Sequence, residues 1–302
     1  EERKIQVDDK DFLETIAGSI MQAREYFNAS KVASLHTSPL LLYYGVSNLM
    51  LGISSLMIGS SLTIEKHGMR LELNKESSGR IADIEIRPFG SGTGALSQFC
   101  KVFYKGTVLP CGDKWTILEI LGSIPELKPD FENCYPDAQS YTIPVQIVRR
   151  ENDYLERINP INIEKFENRT RVFAEIENFR SCYLPPETSL QEKYIILRRK
   201  IGGRKIGVYS VSGQKFLQIS HVKGNHRITL PTIIYMYMGL FAFGYLSRYH
   251  PERWSPFVRS DSTGEKQLIE KFIDTSRRYL PNLALNHLHQ KRIRFVNNAQ
   301  GA

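Results

Sequence analysis

The stretch LSRYHPERWSP, residues 246–256, groups residue types that can bind an anion or move a proton. In a structural interpretation, Pro251 ends a helix and Trp254 folds back as an apolar plug. Arg248 and His250 then complement the dipole at the carboxyl end of that helix. In a functional interpretation, the same Arg248 and His250 form an anion clamp beside Tyr249. The structural interpretation is favoured, because no acidic or nucleophilic partner is recognised beside Arg248 and His250 in sequence.

A second candidate is the glycine-rich turn GSGTG, with Gly90, Gly92 and Gly94. It follows a predicted strand and precedes a predicted helix, the position at which backbone N–H groups can cradle a phosphate. The turn matches neither GxxxxGK[ST] nor GxGxxG. An ordinary glycine-rich turn therefore remains the alternative.

Two basic segments are candidates for contact with phosphates. In HVKGNHR, residues 221–227, the cations are Lys223 and Arg227. In RRKIGGRK, residues 198–205, they include Arg198, Arg199, Arg204 and Lys205. Either segment could lie along a nucleic-acid backbone, and a solvated loop is the alternative for both. Neither the His residues nor the four Cys show the spacing of metal ligands, so we expect no metal and no cofactor.

His67, in EKHGM, lies between a predicted strand and Gly68. A His at that place could act as an acid or base, but a turn His bonded to a backbone carbonyl is the alternative. The sequence contains no GxSxG, no HExxH and no Arg followed four to six residues later by His. These absences favour a non-catalytic protein.

The charge of the chain is unevenly distributed. The net charge is +8, yet residues 197–302 hold 18 Lys and Arg against 5 Asp and Glu, while residues 1–196 are net acidic. Such an excess favours an acidic partner for the C-terminal third: nucleic acid, a nucleotide or an acidic protein face. The alternative is that the acidic N-terminal part neutralises it within the fold.

Hydrophobic periodicity predicts helices at both ends of the chain and strands between them. Ser38 can cap the second helix, and a strand pattern begins at Ser61. A short helix is expected over residues 113–121, and another helix from Asn159 to about Phe179. A helix is also expected over residues 261–279, followed from Leu280 and Pro281 by a short helix and a strand.

We expect an α+β fold in which the N- and C-terminal helices pack together as a helical core around a β-rich middle. The predicted segments are a helical hairpin over residues 1–60, mixed strands and short helices over 61–228, and helices over 229–302. Two uncharged stretches, 37–64 and 230–247, are long enough to span a membrane. Their Ser, Gly, Asn and Tyr content favours buried helices of a cytoplasmic protein instead.

Several ordered motifs resemble the YaaC-like family of bacterial proteins. They are AREYFNAS, SPLLLYYGVSNLMLG, KHGM, LGSIPEL, LSRYHPERW and RRYLPNLALNHL. The residues at the motif positions are Tyr43, Asn48, His67, Gly68, Arg248, Tyr249, His250, Pro251 and Trp254. The resemblance implies no catalytic set. It does imply an occurrence in bacteria, where some members are associated with phage-defence gene neighbourhoods.

The leading hypothesis is a non-catalytic binding or assembly protein, whose basic C-terminal third contacts nucleic acid or an acidic protein, with antiphage defence as its setting. A second hypothesis is a nucleotide sensor or enzyme built from the GSGTG turn, His67, Arg248 and His250, which requires these residues to converge. A third is a structural subunit of a larger complex.

Overall fold

The helices from the two ends of the chain pack against each other. The computed structural model describes residues 10–73, 80–89, 92, 94–104, 113–150, 153–159, 187–189, 194–198 and 207–293. Gly90, Arg199, Arg204, Lys205 and the helix expected after Asn159 lie outside the described residues.

The N-terminal hairpin consists of α1 (Lys10–Val32) and α2 (Ser38–Ile58). The predicted start of α2 is wrong by one residue, because Thr37 occupies the N-cap position and Ser38 lies inside the first turn. Of the described helices, α2 alone is long and apolar enough to cross a membrane by length and composition, and 50% of its most apolar window is buried. The expected cytoplasmic location stays a prediction.

The C-terminal segment forms α6 (Thr232–Tyr249), α7 (Pro251–Ser260) and α8 (Glu265–Leu288). Almost every side chain of α6 is buried, and the helix packs along α2, as predicted for the two apolar helices. Helix α8 contacts both of them. The α+β class with helices at both ends is therefore confirmed.

Helix α8 continues beyond the predicted end at Tyr279. The sequence predicts a break near Pro281, yet the helix runs through this residue. Leu280 and Ala284 on either side of Pro281 are fully buried in the core. Their packing outweighs the backbone hydrogen bond that the proline removes.

A three-stranded antiparallel sheet follows the hairpin, in the order β1-β2-β3. Its strands are β1 (Met69–Glu72), β2 (Glu85–Pro88) and β3 (Trp115–Thr116). Two predictions are wrong here, because residues 61–68 form no strand and the helix expected from Asp113 begins only after β3. The short helices are α3 (Ala95–Phe103), α4 (Ile117–Gly122) and α5 (Lys128–Cys134).

A second antiparallel sheet has the strand order β6-β7-β5-β4-β9-β8, and a β10-β11 hairpin lies beside it in sequence. The strands are β4 (Thr142–Arg150), β5 (Asp153–Ile158), β6 (Glu187–Ser189), β7 (Tyr194–Leu197), β8 (Val208–Tyr209), β9 (Lys215–Gln218), β10 (His221–Lys223) and β11 (His226–Ile228).

The main buried cluster joins the helices of both ends to the three-stranded sheet and to α3, α4 and α5. It therefore crosses both predicted segment boundaries, at residues 60/61 and 228/229. The three-segment division stays a prediction. The candidate site residues Tyr44 and Arg248 lie on helices that contribute to this shared core.

Candidate functional site

The last turn of α6 presents Arg248 and Tyr249 on the surface. The guanidinium of Arg248 donates a hydrogen bond to the hydroxyl of Tyr44 on α2 and lies 4.9 Å from the ring centroid of Tyr249. Tyr44 in turn packs against Tyr26 of α1, with 5.6 Å between ring centroids. In the described part of the chain no carboxylate contacts Arg248. The cation is thus held by aromatic groups rather than neutralised.

His67 reaches the same surface from the segment before β1. Its Nδ1 lies 2.6 Å from the hydroxyl of Tyr43, which lies 3.3 Å from the hydroxyl of Tyr237. Burial and the nearby charge of Arg248 lower the pKa of His67, so the imidazole is neutral at pH 7. The charge of Arg248 therefore acts on His67 on this part of the surface.

The ring of His67 is held by its neighbour Tyr43. Burial raises the pKa of Tyr43 to about 12, so its phenol keeps the proton at pH 7 and shares a hydrogen bond with Nδ1. The other ring nitrogen, Nε2, has no hydrogen-bond partner among the described residues. Because His67 is exposed, Nε2 is a hydrogen-bonding group available on the surface. We call Tyr44, His67, Arg248 and Tyr249 the Arg248 surface.

Two glycines hold the His67 segment against α3. Gly68 has φ +78°, and a Cβ on Gly94 would lie 2.3 Å from the Cα of Gly68. The amides of Ala95 and Leu96 donate to the carbonyls of Lys66 and His67, at 2.8 and 3.1 Å. A side chain at either glycine would push the two segments apart, so Gly68 and Gly94 position His67.

The described part of the GSGTG turn does not offer a phosphate cradle. The first amides of α3 already donate within the protein, and the carbonyl of Gly92 accepts hydrogen bonds from Gln98 and Lys101, at 2.8 and 3.2 Å. Gly92 thus presents an acceptor to cationic and amide groups, whereas a phosphate needs donors. The turn is better described as a support for His67.

The remaining residues of LSRYHPERWSP divide between surface and core. His250 pairs with Glu252, with 3.0 Å between Nδ1 and Oε1. Trp254 is 1% exposed and donates from its indole to the carbonyl of Leu35, at 3.2 Å. Asn48, on α2, donates to the carbonyl of Tyr44 one turn earlier, at 3.0 Å. Glu252 stands two residues from His250 and was the partner that the sequence interpretation overlooked.

Lys223 is not a surface phosphate contact, contrary to the prediction. Its Nζ lies 2.7 Å from both carboxylate oxygens of Glu119 and 4.6 Å from the ring centroid of Trp115. Lys215 likewise pairs with Glu156 in the interior, at 2.7 Å. Part of the C-terminal positive charge is thus neutralised by acidic residues from earlier in the chain. Arg198 and Arg227 are exposed at the end of β7 and on β11.

A buried cluster has the residue types of a Ser-His-Glu triad. His221 Nε2 lies 2.7 Å from Ser123 Oγ, and its Nδ1 lies 3.7 Å from Glu119 Oε1. Ser123 and His221 are each 2% exposed, and the ring of Tyr141 covers His221 with 3.9 Å between centroids. Ser123 also donates to the carbonyl of Glu119, at 2.7 Å. The cluster is sealed from substrate and serves as a polar support inside the fold.

The cluster was difficult to predict from sequence, since Ser123 and His221 are 98 residues apart. The sequence does show that Glu119, on α4, and Ser123, directly after it, are four residues apart, a spacing that lets two side chains of a helical turn meet. Within the described ranges, no group of three His, Cys, Asp or Glu residues could hold a metal ion.

Comparison with known proteins identifies the family of this chain. A family model described as YaaC-like Protein matches residues 5–288. No curated protein and no solved structure matches the chain. The matched range includes both halves of the Arg248 surface, from Tyr44 and His67 to Arg248 and Tyr249, and confirms the resemblance seen in the motifs. The chain belongs to the YaaC-like family.

Proposed function

We propose that this chain is a non-catalytic binding protein that contacts single-stranded nucleic acid through the Arg248 surface. The observation that carries the proposal is the exposed guanidinium of Arg248, which contacts the hydroxyl of Tyr44 and the ring of Tyr249 and is contacted by no carboxylate in the described residues. A guanidinium in such surroundings keeps its charge available for a phosphate.

The groups beside Arg248 suit the phosphate and the base of a nucleotide: His67 the phosphate, and Tyr249 the base. We assign to His67 the tautomer with its proton on Nε2, which supplies a second donor for phosphate oxygens. Tyr249 is 53% exposed and offers a ring face on which a base can stack. Stacking needs unpaired bases, which favours a single strand over a duplex. The net charge of +8 favours approach of a polyanion to the protein as a whole.

A binding role is favoured over the enzyme or nucleotide-sensor alternative, because several of the groups that the alternative requires already have partners within the protein. His67 and Arg248 approach each other, but His250 is paired with Glu252, and the amides that begin α3 are occupied. The surface therefore combines donors and rings without a complete catalytic set among the described residues. We place this binding in the bacterial cytoplasm, where a role in antiphage defence would bring the protein into contact with foreign nucleic acid.

Fluorescence anisotropy with a labelled oligothymidylate of about 20 nucleotides at low salt tests the proposal. We expect Arg248→Gln to weaken binding about tenfold, because a hydrogen-bonded ion pair with phosphate is lost. Arg259→Gln is the matched control, since Arg259 is an exposed cation on α7 whose guanidinium contacts its own helix at Ser255. Equal affinities of the two variants would contradict the proposal. Binding of an acidic peptide with no binding of the oligonucleotide would favour the protein-partner alternative instead.

A further inference from the structure

A cavity of about 780 Å³ lies between α8 and the β8–β9 hairpin. One wall comes from residues 278–287 of α8, inside the RRYLPNLALNHL block, and the opposite wall from residues 208–213. Its volume is in the range of small-molecule sites. None of its lining residues belongs to the Arg248 surface, so it is independent of the proposed function.

The charged residues that line this cavity are all cationic. Arg278 and Arg292 contribute to the wall, and no Asp or Glu is among the described lining residues. A neighbouring cavity of about 800 Å³ shares Arg278 with the first but differs in charge, because Glu126, Glu132 and Asp274 also line it. The first cavity, which we call the α8 cavity, therefore selects for negative charge.

Two polar side chains of the α8 cavity have unused hydrogen-bonding groups. Arg278 is exposed, and its guanidinium has no partner in the described part of the chain. His287 packs against Phe103 with 5.0 Å between ring centroids, and neither of its ring nitrogens has a hydrogen-bond partner among the described residues. Burial lowers the pKa of His287, so its imidazole is neutral at pH 7 and offers one donor and one acceptor.

The positions of these two residues set the shape of a ligand. Arg278 and His287 are nine residues apart on α8, which corresponds to about 14 Å along the helix axis. Between them the wall includes Leu283 and Ile233, and Tyr209 faces from the hairpin with Arg292 stacked on its ring at 4.2 Å. The cavity thus offers a cation at one end, a neutral polar group at the other and apolar surface between.

We infer that the α8 cavity binds an elongated organic anion of mononucleotide size. Its phosphate or carboxylate group pairs with Arg278, its planar body lies against Tyr209 and Leu283, and its far polar group hydrogen-bonds to His287. Asn282 and Asn286 are not needed as ligand contacts, because their side chains hold the backbone of Ile293, at 3.2 and 2.6 Å.

The test uses the full chain with 8-anilinonaphthalene-1-sulfonate, an elongated aromatic anion that fluoresces in apolar sites. We expect saturable binding that AMP displaces and that adenosine, at the same concentration, does not, because adenosine lacks the anionic group. Arg278→Gln should weaken both ligands about tenfold or more. Arg259→Gln, an exposed cation outside the cavity, should change neither. His287→Phe keeps an aromatic ring against Phe103 and should weaken AMP at least about threefold.

Three results would overturn the inference: displacement by adenosine as effective as by AMP, equal affinities for Arg278→Gln and Arg259→Gln, or full AMP affinity in His287→Phe. Circular dichroism melting curves confirm that each variant is folded. Arg248→Gln should leave AMP binding unchanged, and Arg278→Gln should leave oligothymidylate binding unchanged. This crossed pattern separates failure of the cavity from failure of the proposed function.

Discussion

His67 shares a hydrogen bond with Tyr43, with 2.6 Å between its Nδ1 and the phenol oxygen. The bond joins the segment before β1 to α2, and the hydroxyl of Tyr43 is itself 3.3 Å from that of Tyr237 on α6. Because Tyr237 is fully buried, the imidazole is oriented from within the core. Its second nitrogen has no hydrogen-bond partner in the described part of the chain.

The pKa of His67 reports on this arrangement. Burial and the charge of Arg248 both lower it, since each disfavours the imidazolium. We expect Arg248→Gln to raise the pKa of His67, because the repulsion disappears while the burial remains. Titration of the imidazole resonances by NMR measures the change. An unchanged His67 pKa in Arg248→Gln would show that the two side chains do not interact.

Tyr249 should contribute to nucleic-acid binding by stacking. Replacement of its exposed ring in Tyr249→Ala should weaken oligothymidylate binding by about fivefold to a hundredfold, the range for loss of one stacked base. Val222→Ala is the control, because Val222 is a 66% exposed apolar side chain on β10. If both variants bind equally in the anisotropy assay, Tyr249 is not a stacking platform.

Glu119 should be important for stability rather than binding. Its carboxylate holds the ammonium of Lys223 at 2.7 Å, and that side chain is 10% exposed. Glu119→Gln leaves this cation without its counter-charge, so we expect a loss of about 3–5 kcal/mol in the free energy of unfolding. Urea unfolding measures it. The double variant Glu119→Gln, Lys223→Met should recover part of the loss, and a single-variant loss below about 1 kcal/mol would mean that the pair is dispensable.

The same carboxyl illustrates the competing effects on a buried ion. Burial alone would raise the pKa of Glu119, but the facing ring of His221, the ammonium of Lys223 and the amide of Thr116 lower it to about 2. A lowered carboxyl pKa stabilises the fold above the unfolded value of 4.5, and this contribution is lost as pH falls through 2. Glu119 therefore stays ionised at any pH at which binding would be measured.

Glu126 should make the stability of the fold fall as pH rises. Burial raises its pKa to about 7, although its Oε1 accepts a hydrogen bond from the amide of Val211, at 2.8 Å. A raised carboxyl pKa means that the folded state holds a proton that the unfolded state releases. The resulting stability is complete below the unfolded value of 4.5 and is lost as pH rises through about 7. Tyr279 of α8, whose pKa is raised by burial and then by Glu126, faces this carboxyl.

Urea unfolding at about pH 5.5 and 8.5 tests this behaviour. The wild-type chain should lose more stability between the two values than Glu126→Gln, which cannot titrate. Glu14→Gln serves as the control, because its side chain is 66% exposed and pairs with Lys10 on α1, which is exposed as well. Parallel losses in wild type and Glu126→Gln would contradict the assignment.

The helical part of the fold could be predicted from sequence because its pattern is local. The spacing of Phe12, Ala23 and Phe27 marks the buried face of α1, and the uncharged α6 marks a core helix. The break expected at Pro281 was wrong, since the core contacts of Leu280 and Ala284 are invisible in a local window. The strand at Trp115 could not be predicted from local sequence either, because it depends on pairing with Ile86 across the sheet.

Only part of the candidate site could be predicted from the sequence. His67, Arg248 and Tyr249 could be selected from their motif blocks, but their convergence depends on contacts such as Tyr43 with Tyr237, 194 residues apart. The expected surface role of Lys223 failed for the same reason, because its partner Glu119 is 104 residues away. Residue type predicted which groups can act, whereas long-range packing decides which of them remain available.

The salt dependence of oligothymidylate binding tests the central claim most directly. Each phosphate contact in a single strand adds about 0.7 to the steepness of log affinity against log salt concentration. The account predicts that wild-type affinity falls steeply with salt and that Arg248→Gln reduces the slope by about 0.7, with Arg259→Gln unchanged. No binding at about 20 mM salt, or identical slopes for wild type and Arg248→Gln, would contradict it.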